Sequence, residues 1–207
     1  LGIPTGVFAA VKRGTFWDYI ARGVAIVGQG APPFVIGLLL IVIFAVWLQD
    51  TPFYLPAAGR PPQFDFRNYI LPCVALGWPA AAGLMRLTRS AMLEVLDSEF
   101  VKLARAKGVG WNKVIYKHAL KNALITPLTS ALLLFSGWLN GALVIEIIFG
   151  WPGIGYDALF TAVNDNDFPL LQGTVFFFVI IFVIFALLAD LLYTIIDPRV
   201  RLTGGEK

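Results

Sequence analysis

The sequence predicts an all-α fold, a polytopic transmembrane helical bundle, from three observations. Of the 207 residues, 58% are hydrophobic and 14% are charged, whereas a soluble domain is typically about 45–50% apolar. The mean hydropathy is +0.77. Four stretches contain no Asp, Glu, Lys or Arg, and each has roughly the 18 residues or more that a helix needs to cross a bilayer. These stretches are 23–49, 68–85, 122–145 and 168–189.

The predicted elements follow these stretches along a single transmembrane domain, 1–207. Because the chain does not begin with Met, we expect residues 1–11 to be the cytoplasmic end of a helix that starts earlier. The prediction is therefore one partial span and four full spans. The spans are 1–11 (partial), 23–49, 68–88, 120–146 and 168–195, the cytoplasmic loop is 89–119, and the outer loops are 50–67 and 147–167.

The distribution of cations predicts the orientation of the bundle. Four crossings place 14 Lys and Arg residues on one side, including Lys12, the loop 89–119 and the C-terminal tail. The other side has only Arg60 and Arg67. Cytoplasmic loops carry the excess of Lys and Arg, so we expect the loop 89–119 and the C-terminus to be cytoplasmic.

Prolines and the single cysteine give local predictions for the second full span. Pro72 and Pro79 lie inside it and are expected to kink or break the helix. Cys73 excludes an intrachain disulfide and a Cys-rich metal cluster. Its apolar neighbours predict a buried side chain.

The charged segment 99–122 interrupts the apolar chain and is too long for a tight turn. It is preceded by a predicted short helix at 90–96, and a second is predicted at 99–107. Ser98 is expected to cap the start of the second helix, and Gly108 and Gly110 to end it.

The predicted helix at 99–107 is amphipathic. Phe100, Leu103 and Ala104 form an apolar stripe at helical spacing, flanked by Lys102, Arg105 and Lys107. Such a helix lies on lipid or docks into a groove of a partner protein, and composition alone leaves both possibilities open.

The order of residues in this segment resembles a known family. The run Glu99-Phe-Val-Lys-Leu-Ala-Arg-Ala-Lys-Gly108, followed by Val114, His118-Ala-Leu-Lys-Asn122 and Pro127, resembles the EAA-type loop of ABC importer permeases. It is most similar to the dipeptide, oligopeptide and nickel branch. Further motifs agree in order over nearly the whole chain; they are at 2–6, 146–155, 167–173 and 190–199.

Two departures from the broader importer pattern sharpen this resemblance. The sequence has Lys102-Leu-Ala104 where the wider family has Glu-Ala-Ala, and His118-Ala-Leu-Lys121 where it has Ile-x-Leu-Pro. Both variants look like the peptide and nickel branch. Members of this branch usually begin with another transmembrane helix and an external segment, so the chain resembles their C-terminal part.

The resemblance implies a type I ABC importer permease in the cell (inner) membrane that carries di- or oligopeptides. Nickel or glutathione-like solutes are alternatives on the same scaffold. It implies four kinds of partner: ABC ATPase subunits, a second homologous permease, an extracytoplasmic solute-binding protein and the lipid bilayer. No cofactor is expected in this chain, because ATP and Mg would be bound by the ATPase subunits. The residues implied to contact an ATPase subunit are Glu99, Phe100, Leu103, Ala104, Arg105, Ala106, Lys107 and Gly108.

Glu146 is the candidate for an outer gate, because an ionisable group beside an apolar run is a functional hypothesis. Trp151, Pro152 and Gly153 in the following loop are expected to shape that gate. A position at the membrane interface for Glu146, and a simple tight turn for the loop, remain open alternatives. Asp190 is expected to be a partner in helix packing.

Other classes of function fit the sequence less well. The chain has no G-x-x-x-x-G-K-[S/T] phosphate loop, and its single His118 is expected to be a polar helix-end residue. No metal site and no nucleic-acid binding are predicted. An intramembrane enzyme would need catalytic pairs that Thr129, Ser130 and Ser136 do not form with any histidine. A membrane anchoring protein would not need kinked spans and glycine-rich loops.

Overall fold

The computed structural model describes residues 1–57, 59 and 64–196. The described residues are helices and their connections, with no strand among them, which confirms the all-α prediction. The first half contains α1 (Gly2–Val11), α2 (Phe16–Gly30), α3 (Pro33–Leu40, continued by a π-helical stretch Ile41–Trp47) and α4 (Arg67–Leu96).

The second half is also helical. It contains α5 (Glu99–Ala106), α6 (Trp111–Lys113, continued by a π-helical stretch Val114–Ala119), α7 (Leu120–Ala123), α8 (Ile125–Phe149), a π-helical stretch Ile154–Phe160, α9 (Thr161–Asn164) and α10 (Phe168–Ile196). Four parts of the sequence predictions lie outside the described residues. They are Arg60, the cations Arg199, Arg201 and Lys207, the end of the motif at 190–199, and the side chain of Asp190.

The chain forms two compact units. Unit 1 consists of Leu1–Gln29, Ala80–Leu134 and the described part of 185–207. Unit 2 consists of Gly30–Pro79 and Phe135–Ile184.

In unit 1, glycines allow α1 to pack closely on α4. A Cβ atom added to Gly6 would lie 2.6 Å from both the carbonyl oxygen of Met85 and the Cβ of Thr88. Gly2 has an equally close approach to Ala81, so the Gly-x-x-x-Gly spacing serves helix packing. The adjacent core consists of Val7, Ala10, Met92, Ile115, Ala119 and Ala123.

In unit 2, α3, α4 and α8 share an apolar core. Leu71 and Ala75 of α4 pack with Ile145 and Phe149 of α8. Gly37 of α3 faces them, because a Cβ atom there would lie 3.2 Å from the Phe149 ring.

Among the residues that the structure describes, two helices are long and apolar enough to cross a membrane, Arg67–Leu96 and Phe168–Ala189. The number of spans rises to at most four if each bent helix pair is counted as one. One bent pair lies in the predicted span 23–49, which is interrupted at Ala31 and Pro32. A residue before proline avoids the α-helical conformation, and Pro32, which precedes Pro33, is extended with ψ 149°.

The second bent pair shows that much of the predicted outer loop 147–167 is helical. Ala142–Phe149 and Ile154–Asn164 are helical and meet at 93°, so the irregular part of this loop is short.

One local prediction is narrowed and two are wrong. α4 is one continuous helix through Pro72 and Pro79, so these prolines do not break it, and the predicted kink stays a prediction. Residues 90–96 are the end of α4, not a separate helix, so part of the predicted loop 89–119 extends that helix. Cys73 is exposed on the surface of this chain, not buried.

Candidate functional site

Helix α5 begins and ends as the sequence predicts. Ser98 occupies the N-cap position, and Gly108 follows the helix with φ +77°, the left-handed conformation that suits glycine. The Ser98 hydroxyl does not cap the helix, however, because it donates to the carbonyl oxygen of Val95. Gly110 precedes α6 with a negative φ, so it does not end α5.

The apolar side chains of α5 divide into an inward and an outward set. Val101 is 1% exposed, whereas Phe100 is 47% and Leu103 is 56% exposed. Ala104 is half-buried, and Ala106 is exposed. The predicted stripe therefore faces outward, and Val101, which was not predicted as a contact residue, is the buried side chain of α5.

The charged residues of α5 are partly engaged with near neighbours. Lys102 Nζ lies 2.7 Å from Glu99 Oε1, and this hydrogen bond to a carboxylate raises the pKa of the exposed Lys102 ammonium. The Arg105 guanidinium lies 4.9 Å from the centroid of the Trp111 ring. Lys107 is exposed, at the C-terminal end of the helix.

A second polar site, centred on Asp18, was not predicted. Its carboxylate is 1% exposed and accepts two hydrogen bonds from Arg89, Nε to Oδ1 at 2.7 Å and Nη2 to Oδ2 at 2.9 Å. The Gly14 amide donates to Oδ2 at 3.0 Å, and Arg22 Nε lies 3.5 Å from Oδ1. This bidentate pair is the strong geometry for Arg and carboxylate, and it joins the first turn of α2 to α4.

A local signal for Asp18 was present in the sequence. It is the only acidic residue among the first 49 and lies five residues before an apolar stretch. A lone acid in such a place needs a partner. Arg89 lies 71 positions away in the sequence, however, so no local pattern identifies it.

The Glu146 carboxylate is enclosed by the loop that follows it. Oε2 accepts a hydrogen bond from the Tyr156 amide at 2.8 Å, and the Glu146 carbonyl accepts one from the Trp151 amide at 2.8 Å. A Cβ atom on Gly153 would lie 2.7 Å from Oε2, and one on Gly155 would lie 2.8 Å from it. A side chain at either glycine would displace the carboxylate, and one at Gly155 would also meet the Cα atom of Leu143 at 2.9 Å.

The remaining predicted gate residues differ in their contacts. The Trp151 ring is half-buried and packs edge-on against Tyr69, with centroids 4.6 Å apart, whereas Pro152 is exposed. The structure thus brings together Glu146, Trp151 and Gly153 and leaves Pro152 outward. Their role as a gate stays a prediction.

The part of the chain that the structure describes contains no group of three or more His, Cys, Asp or Glu residues arranged to hold a metal ion. His118 lies half-buried in the π-helical stretch Val114–Ala119.

Comparisons with known proteins agree over the length of the chain. Residues 2–202 match the family model of the binding-protein-dependent transport system inner membrane component. A dipeptide transport system permease protein of Alkalihalophilus pseudofirmus is 39% identical over 97% of this chain. A putative peptide transport system permease protein of Brucella abortus is 39% identical, and a glutathione transport system permease protein of Escherichia coli is 36% identical, each over 97% of the chain. The chain spans 66%, 64% and 63% of the length of these three relatives.

Proposed function

Because the chain belongs to the family of binding-protein-dependent transport system inner membrane components, we propose that it acts as the permease subunit of an ATP-driven ABC importer for peptides. It forms part of the translocation path and is a transporter subunit, not an enzyme. Relatives named for dipeptides and peptides favour a peptide over a glutathione-like solute or nickel.

The main support for this proposal is the exposed apolar surface on the outward side of α5. Phe100 and Leu103 expose apolar surface beside Arg105 and Lys107, and a fully buried side chain of this kind contributes about 1.5–3 kcal/mol. An apolar pair surrounded by charges fits the groove of a protein partner, with the charges fixing its orientation. We assign this surface to the ATPase subunit, which would bind ATP and Mg outside this chain.

A series of contacts connects α5 to the core of unit 1. α5 contacts the π-helical stretch Val114–Ala119. Within that stretch, Ile115 and Ala119 belong to the core cluster that also contains Val7 of α1 and Met92 of α4. Because packed cores transmit displacement, closure of the ATPase subunits would move α5 and, with it, the helices that share this core.

The remaining partners and the orientation belong to the same proposal. The side that carries most Lys and Arg, including α5, is cytoplasmic by the positive-inside rule. The loop after Glu146 then faces the solute-binding protein outside. A second, homologous permease subunit completes the translocation path.

Co-purification of the full-length permease with its ATPase subunits tests the proposal. We expect the double variant Phe100→Ser/Leu103→Ser to lose the ATPase. Phe53→Ser, which changes a 70% exposed aromatic residue in the predicted outer loop, is the control and should retain it. Undiminished co-purification of the double variant would contradict the coupling role. Uptake of a labelled dipeptide in competition with glutathione and Ni²⁺ tests the solute separately.

A further inference from the structure

The segment after α5 presents a row of cations on its exposed side. Lys113, Lys117 and Lys121 follow one another at intervals of four residues, and all three are exposed. Residues at this spacing lie on the same side of a helix. The opposite side of the segment, with Val114, Ile115, Ala119 and Ala123, is buried in unit 1.

Two aromatic residues accompany these lysines. Tyr116 is 64% and Trp111 is 43% exposed. Trp and Tyr are enriched where a protein meets the headgroup layer of a membrane, because one part of the ring system is apolar and the other polar. We call the exposed side chains of Trp111, Lys113, Tyr116, Lys117 and Lys121 the basic–aromatic face.

This face has no acidic residue near it in sequence to neutralise its charge. From Phe100 to Ile145 the chain has six Lys and Arg residues and no Asp or Glu. Among the residues that the structure describes, no salt bridge involves Lys113, Lys117 or Lys121. The face therefore complements a surface that supplies negative charge.

The distance to the next apolar helix indicates what that surface is. α8 begins at Ile125, and at about 1.5 Å per helical residue Lys121 and Lys117 lie within roughly 6 and 12 Å of its start. The headgroup region of each leaflet is about 5–8 Å thick, so long lysine side chains at these positions reach lipid phosphates.

We propose that the basic–aromatic face binds the phosphate groups of anionic phospholipids in the cytoplasmic leaflet. This inference rests on the proposed function for the cytoplasmic position of the segment. Each lysine near an anionic bilayer strengthens binding on the order of fivefold, and three together on the order of a hundredfold. α5 then contacts a protein, while the helical segment that follows it contacts lipid.

Lipid-specific quenching of Trp111 tests this proposal on the full-length permease in nanodiscs. The probes are dibrominated phosphatidylglycerol and dibrominated phosphatidylcholine at equal mole fractions, and the variant Trp111→Phe isolates the contribution of Trp111. We expect stronger quenching by the anionic lipid. The variant Lys113→Gln/Lys117→Gln/Lys121→Gln should lose this preference, and the corresponding triple Arg variant should keep it.

A matched control removes three cations elsewhere on the predicted cytoplasmic side, Lys12→Gln/Arg13→Gln/Arg86→Gln, and should leave the preference unchanged. Equal quenching of the wild-type protein by both lipids would overturn the proposal, as would a preference that survives in the triple Gln variant. Loss of ATPase co-purification in that variant with unchanged lipid preference would also overturn it and would identify the face as a protein-binding surface. Because the quenching needs no ATPase, its failure is distinguishable from failure of the proposed function.

Discussion

Helix α5 and the loop after Glu146 are the two segments that the sequence singles out, and they are built in opposite ways. α5 buries Val101 and leaves Phe100 and Leu103 exposed. The loop satisfies its own charged group, because the Tyr156 amide and the space over two glycines hold the Glu146 carboxylate. The difference teaches that α5 leaves apolar surface free for the proposed partner, whereas the loop satisfies its own charged group. Substitutions in the loop should therefore reduce stability, and substitutions on α5 should reduce association.

The largest expected loss of stability comes from the Asp18–Arg89 pair in unit 1, the unit that also contains α5. Arg89→Gln leaves the buried Asp18 carboxylate without its bidentate partner, and breaking such a pair costs about 3–5 kcal/mol. Thermal unfolding of the purified permease measures it. Arg13→Gln, which breaks the exposed pair with Asp97, is the control and should cost no more than about 1 kcal/mol.

The double variant Asp18→Asn/Arg89→Gln separates the lost pair from general damage. We expect it to be more stable than Arg89→Gln alone, because the buried charge is removed. If both variants unfolded at the wild-type temperature, the Asp18 site would not be the interior anchor of unit 1.

A smaller effect is expected in the loop from Gly153→Ala. The added methyl group overlaps the Glu146 carboxylate, and such overpacking costs about 1–3 kcal/mol. Gly77→Ala is the matched control, because a Cβ atom at this helical position meets no other atom within 4 Å. That variant should be neutral or stabilising by up to about 1 kcal/mol.

The stability effects of substitutions at Glu146 and Gly153 should depend on each other. In a Glu146→Ala background the methyl group of Gly153→Ala has room, so most of its cost should disappear in a double-mutant cycle. Additive costs would show that the loop is not organised around the Glu146 carboxylate.

Glu146→Gln should have a still smaller effect. The side-chain oxygen can still accept the hydrogen bond from the Tyr156 amide, but the bond loses its charge, and we expect a loss of about 1 kcal/mol. Thermal unfolding under the same conditions measures it. A loss as large as that of Arg89→Gln would mean that the carboxylate has a further partner beyond its own loop.

The smallest effect on stability is expected for α5 itself. Phe100→Ser and Leu103→Ser change exposed side chains, and surface substitutions of this kind are usually within about 0.5 kcal/mol. Unfolding of the permease without ATPase measures this cost. A cost near that of Gly153→Ala would break the comparison, because Phe100 and Leu103 would then stabilise unit 1 directly.

Local patterns in the sequence predicted much of the helical structure but not its long-range pairs. The limits of α5 follow from helical spacing and the role of Gly108 from the left-handed conformation of glycine, and both are confirmed, whereas the predicted side-chain cap by Ser98 is not formed. The Asp18–Arg89 pair joins residues that no periodicity relates.

Prolines interrupt one predicted span but not another. The consecutive Pro32 and Pro33 interrupt a helix because each proline restricts the residue before it. Pro72 and Pro79 lie apart, and α4 passes through both. In a helix that packs against others, the carbonyl groups freed by isolated prolines are tolerated.

Cysteine labelling tests most directly the central claim that the outward side of α5 is covered by the ATPase. In a Cys73→Ser background, Leu103→Cys is labelled with a maleimide in the permease alone and in the complex isolated through its ATPase subunits, so that every labelled permease in the second sample is bound. Val101→Cys is the buried control, and Phe53→Cys is the exposed control. We predict that ATPase binding slows labelling at position 103, because the centre of an interface excludes water, while position 53 reacts equally in both states and position 101 reacts in neither. Equal labelling of position 103 with and without the ATPase would contradict the account.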